Sequence, residues 1–130
     1  MLDFNKSQNN IDLFKSLINN LTLNREEILL HYPKLDIWHK LQFFCRDNRL
    51  KDIDLIPYLI DLNSDQAYYL LDNCAIKFLK KDIFICLDKL DSDHLYDIIH
   101  RGKYLTKDEV LRYIPKLSIE HQFKIIKEKF

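Results

Sequence analysis

Four segments of the chain can be laid over one another on a central leucine, Leu35, Leu62, Leu90 and Leu117, which recurs at intervals of about 27 residues. This periodicity constrains the fold more than any other feature. Twelve residues before each leucine stand Leu23, Leu50, Phe78 and Leu105, and seven before stand Ile28, Leu55, Ile83 and Val110. Six after stand Leu41, Tyr68, Tyr96 and Phe123, followed at eight and nine by Phe43/Phe44, Leu70/Leu71, Ile98/Ile99 and Ile125/Ile126. One repeat before Leu41 lies Phe14, so IDLFKSLINNL reads as the second half of an incomplete first unit.

Apolar spacings of three and four on both sides of the leucine specify two short amphipathic helices per unit, here helix A before it and helix B after it. Glu27, Asp54, Asp82 and Glu109 stand eight before the leucine, and in two units the residue three earlier, Asn24 or Thr106, completes a capping-box pattern. The A helices are therefore expected to start near 24, 51, 79 and 106. Asp36, Asn63, Asp91 and Ser118 directly follow the leucines and mark the N-caps of the B helices. Pro33 and Pro115 end helix A in their units, Gly102 suits a left-handed cap after the third B helix, and Pro57 predicts a kink or a late start.

With a single glycine in 130 residues, neither a GxGxxG fingerprint nor a phosphate-binding loop can be built. The chain is read as one all-α helical-repeat domain, residues 1–130. A hairpin of about 27 residues cannot bury its own apolar face, so the expected architecture is a short α-solenoid of about four and a half hairpins. A compact α-helical bundle is the alternative. The array resembles HEAT and TPR proteins in architecture only, because its unit is shorter than theirs and the Trp/Leu/Gly/Tyr pattern of a TPR is absent.

His39, His94 and His121 share the position four past the leucine, with Gln66 completing the column. Equivalent positions on stacked helices lie about 8–10 Å apart, too far to converge on a zinc ion about 2 Å from each ligand. The column is read as first-turn polar residues on an exposed face, and no metal or cofactor is expected. Cys45, Cys74 and Cys86 are odd in number, lack CxxC spacing and fall in apolar patterns, which suits buried thiols in a reducing compartment. Asp82, Asp91 and Asp93 are accounted for by helix starts, and no nucleophile stands at a recognisable spacing from a base. The chain is expected not to be an enzyme.

Phe43, Phe44, Tyr68, Tyr96 and Phe123 are assigned to the apolar column, whereas Tyr69, one residue off it, is placed on the surface. The N-terminus lacks a secretory pattern and no long apolar run occurs, so a cytoplasmic, membrane-free location is expected. Recognition of another protein, as an inhibitor, immunity protein or adaptor, suits a rigid array without motif chemistry. The outward face of helix B supplies the candidate contacts: His39, Gln42, Arg46, Gln66, Tyr69, Asn73, His94, Asp97, Arg101, His121 and Lys124.

The charges sum to zero but are unevenly spread, with ten acids against five bases in residues 51–100 and eight bases against four acids in 101–130. Nucleic-acid binding through Arg101, Lys103, Lys107, Arg112, Lys116, Lys124, Lys127 and Lys129 is the alternative function, opposed by the acidic middle. An enzyme with an unrecognised site is the second alternative. Ile119, Phe123, Ile126 and Phe130 form an apolar stripe on the last helix and are the candidates for self-association.

Overall fold

The computed structural model describes residues 6–74, 78–102 and 104–130. Among these residues the chain is all-helical, with nine α-helices and no strand: α1 Lys6–Asn19, α2 Arg25–His31, α3 Ile37–Arg46, α4 Asp52–Leu59, α5 Ser64–Cys74, α6 Lys80–Leu87, α7 Ser92–His100, α8 Lys107–Tyr113 and α9 Ile119–Lys129. None of them is long and apolar enough to cross a membrane. The expected starts hold closely. Asn24 and Thr106 form capping boxes with Glu27 and Glu109, and Asp36, Asp91 and Ser118 cap α3, α7 and α9 through their side chains.

Pro33 and Pro115 lie in 3-10 turns, Tyr32–Lys34 and Ile114–Lys116, that tighten the end of α2 and α8. Gly102 has a φ of +70° after α7, the left-handed conformation that an L side chain disfavours. Pro57 does not delay its helix: α4 starts at Asp52 and runs through it. The proline falls in the last turn of a short helix, so one backbone hydrogen bond is lost.

The chain divides into two compact units, residues 1–58 and 59–130. In the first, α1 lies beside α3, and Phe14, Leu17, Ile28, Tyr32, Leu41, Phe43 and Leu55 are buried. In the second, α5 packs beside α7 and α7 beside α9, around Leu70, Leu71, Leu95, Ile98, Ile99 and Ile125. Leu71 and Ile99 are fully enclosed, as the repeat pattern requires. Cys74 and Cys86 are buried and Cys45 half-buried, none of them in a disulfide; burial pushes the Cys86 thiol up to about 12.

Candidate recognition face

Inside both units, α1 and α3, α5 and α7, and α7 and α9 meet through corresponding contacts. In the first unit the Asp36 backbone N–H donates to Asn10 Oδ1 at 2.5 Å, and the His39 ring lies 5.2 Å from that of Phe14. In the second unit Asp91 N–H donates to Ser64 Oγ at 2.9 Å, and His94 stacks on Tyr68 at 4.3 Å with 17° between the rings. Ser118 N–H likewise donates to Ser92 Oγ at 2.7 Å, and His121 stacks on Tyr96 at 4.5 Å and 13°.

Asn10, Ser64 and Ser92 share one repeat position, and Phe14, Tyr68 and Tyr96 share another. The Ser64 and Ser92 hydroxyls also hydrogen-bond Nδ1 of His94 and His121, while Asp65 and Asp93 stand 3.6 and 3.5 Å from the Nε2 atoms. The sequence signal for this socket is the doublet SDQAY and SDHLY, residues 64–68 and 92–96. Neither half announces a histidine site, because the imidazole comes from the following repeat.

The histidine column is therefore not on an exposed face. The side chains of His39, His94 and His121 are only 19, 25 and 15% exposed, each set against a ring of the preceding repeat. Gln66, also expected to point outward, is buried, and its Oε1 accepts from Asn63 N–H at 3.0 Å. Among the described residues no three His, Cys, Asp or Glu side chains converge as metal ligands.

Other candidates of the second unit do reach the surface. Arg101 donates to Asp72 Oδ1 at 2.6 Å, to Asp97 Oδ2 at 2.5 Å and to Tyr68 Oη at 2.9 Å, and Tyr68 Oη donates to Asp97. These groups keep contact with water: the Arg101, Asp97 and Asp72 side chains are 30, 40 and 37% exposed. Lys124 Nζ sits 5.8 Å from the centre of the Tyr96 ring. Tyr69 is half-buried rather than fully on the surface, and Asn73 Nδ2 donates to its carbonyl at 2.7 Å. In the first unit Gln42 is half-buried and Arg46 is exposed, its guanidinium 6.0 Å from the Phe14 ring.

Of the basic residues at the end of the chain, Arg101, Lys116 and Lys124 are each paired with a carboxylate. Arg112 lies over Phe84 and Lys107 over Phe130. Lys103 lies outside the described residues.

Two features escaped sequence reasoning. Lys40 interrupts an apolar column, yet it is buried: its ammonium donates to the carbonyls of Leu35 and Pro33 and lies 4.7 Å from the Tyr58 ring centre. Gln122, at the same repeat position, makes the equivalent bond to Leu117 O at 3.0 Å. The second feature is an ion pair between successive A helices inside each unit, Arg25 to Asp54 at 2.5 Å in the first and Lys80 to Glu109 at 2.8 Å in the second. Arg25 and Lys80 are repeat equivalents, as are Asp54 and Glu109.

The Arg25 hydrogen bond, helped by the Lys51 backbone N–H, holds the Asp54 carboxyl below the usual carboxylate range. A depressed carboxyl stabilises the fold above its unfolded pKa of about 3.9, and that stabilisation disappears as pH falls through the lower folded value. Arg25→Gln is therefore expected to lower the urea midpoint at neutral pH, with the gap to the parent protein closing as the pH drops below about 4. A gap independent of pH would show that Arg25 acts through packing alone.

The structure thus gathers polar and aromatic side chains into fixed arrangements along the B helices. No protein-family model, curated protein or solved structure matches the chain.

Proposed function

We propose that the chain is a short α-solenoid of about four and a half hairpins that works by recognising another protein, without catalysis or a cofactor. The recurrence of one helix-to-helix contact in both units supports a stacked array over an irregular bundle. The observation that carries the recognition reading is the Arg101–Asp72–Asp97–Tyr68 cluster: its side chains are held by mutual hydrogen bonds while part of each still faces water.

Ordering tyrosine and arginine before binding lowers the entropic cost of contact, and these two residue types dominate protein interfaces energetically. Asn73 and Tyr69 extend the face on α5, and Lys124 reaches it from α9 over the Tyr96 ring. A cytoplasmic inhibitor, immunity protein or adaptor is the role this reading favours. Pairing of Arg101, Lys116 and Lys124 with carboxylates weighs against a face selected for phosphate.

Cross-linking mass spectrometry on the full chain in native lysate tests the reading. The expected result is a protein cross-linked near Tyr69, Asn73 and Arg101, bound at least about tenfold more weakly by Arg101→Ala at unchanged thermal stability. Retention of nucleic acid instead, with binding that falls steeply between about 50 and 200 mM salt, would overturn it.

A further inference from the structure

We infer that the outer face of α9 is a homodimer interface, on which a second copy of the chain docks its own α9 antiparallel across a two-fold axis. The face is the one that receives the next helix elsewhere in the chain. Phe14, Tyr68 and Tyr96 each lie against a histidine of the following helix. Phe123 occupies the same repeat position on α9 and is 70% exposed, as are Ile119 at 72%, Ile126 at 47% and Phe130 at 45%. The repeat equivalents of Ile126, namely Phe44, Leu71 and Ile99, are all fully buried.

The α9 face is also more apolar than those of α1, α5 and α7. Where Asn10, Ser64 and Ser92 accept a backbone N–H of the incoming helix, α9 has Ile119, as α3 has Ile37, and where Tyr68 and Tyr96 carry a hydroxyl it has Phe123, as α3 has Leu41. A further helix of the repeat's own kind would have to satisfy its first N–H by itself, as Asn63 does through Gln66.

The stripe complements itself. Ile119, Phe123, Ile126 and Phe130 are spaced four, three and four, a pattern that reads the same in both directions. In heptad terms they alternate between the d and a positions of a helix–helix seam. Antiparallel pairing sets Phe123 against Ile126 of the second copy and Ile119 against its Phe130. Glu120 and Lys127 both fall at e, and antiparallel helices bring e against e, so each seam gains two Glu120–Lys127 pairs between copies. A parallel arrangement brings g against e and would face Gln122 with Lys127, with no opposite charges. Charge therefore selects the antiparallel two-fold. An interface of four apolar side chains per copy is small, which places the dimer in the weak class, with Kd on the order of 10 µM.

Sedimentation equilibrium on the full chain, from low to high micromolar concentration, tests the inference. The expected result is a monomer–dimer equilibrium that Phe123→Asp abolishes without lowering thermal stability, since that side chain faces water. Glu120→Lys and Lys127→Glu are each expected to weaken the dimer by about tenfold, and the double variant to return it close to the parent value. A monomer at every concentration overturns the inference, as does a dimer that survives Phe123→Asp or growth into open-ended oligomers. A double variant no tighter than the single ones refutes the antiparallel pairing.

Discussion

Replacing Phe43 by alanine is expected to cost about 3–5 kcal/mol, read from urea unfolding of the full chain. The side chain is wholly buried in the first unit. Its ring meets Phe14 edge-on at 6.5 Å and Tyr32 at 5.9 Å, and the Arg49 guanidinium lies 5.8 Å from its centre. Tyr32 is itself fixed, because its hydroxyl donates to the Lys40 carbonyl at 2.6 Å. Neighbours held in this way cannot collapse into the vacated volume, and the cost of a large-to-small change grows with the cavity that remains. Phe43→Leu, which leaves less space, is expected to cost less than half as much. A loss below about 1 kcal/mol for Phe43→Ala would mean that the ring is not a central packing element of its unit.

Periodicity made the interior of the helices legible, because burial is dictated by spacing on a helix whatever the neighbour is. Leu71, Ile99, Phe43 and Phe44 occupy the apolar column and are buried accordingly. Caps were equally readable, since Asn24 with Glu27 and Thr106 with Glu109 act within four residues.

Whatever depended on the following repeat was not readable one helix at a time. His94 scores as a polar residue in a first turn, and only the Tyr68 ring and Ser64 hydroxyl of the preceding helix turn it inward. Phe123 scores as core for the converse reason: its column is apolar in every unit, but the partner that covers Tyr68 or Tyr96 is a helix further along, and on α9 the ring faces water. Lys40 was missed because a lysine in an apolar column signals exposure unless carbonyls converge on it, and those belong to the turn at Pro33 and Leu35.

Arg49→Ala is expected to destabilise the protein by about 2–3 kcal/mol, less than the roughly 3–5 kcal/mol of a fully buried ion pair because the Arg49 side chain keeps 19% exposure. All five N–H donors of the guanidinium are used. Nε and Nη2 hold both oxygens of Asp47 at 2.9 and 2.7 Å, the other Nη2 proton goes to Leu17 O at 3.0 Å, and Nη1 donates to Asn20 O and Leu23 O at 2.7 and 3.1 Å. The carbonyls of Leu17 and Asn20 belong to the end of α1, where the helix has no internal donors left, so Arg49 serves as its C-terminal cap.

The second unit reaches the equivalent carbonyl, Leu71 O, with the hydroxyl of Tyr104 at 2.9 Å, from the same repeat position and from a left-handed backbone with φ of +69°. Two different side chains doing one job at one position locate the requirement in the helix end, not in the residue that meets it. Arg49→Lys should therefore recover less than half of the loss, because an ammonium has three donors and no planar fork to span Asp47 and the carbonyls together. In Arg49→Ala the Asp47 carboxylate, only 9% exposed, loses the guanidinium that holds both of its oxygens. Adding Asp47→Ala is thus expected to cost less in the Arg49→Ala background than in the parent protein, a coupling of about 1–3 kcal/mol in a double-mutant cycle. Strict additivity of the two substitutions would show that the pair does not act as a unit, and would leave the capping of α1 as the whole of Arg49's contribution.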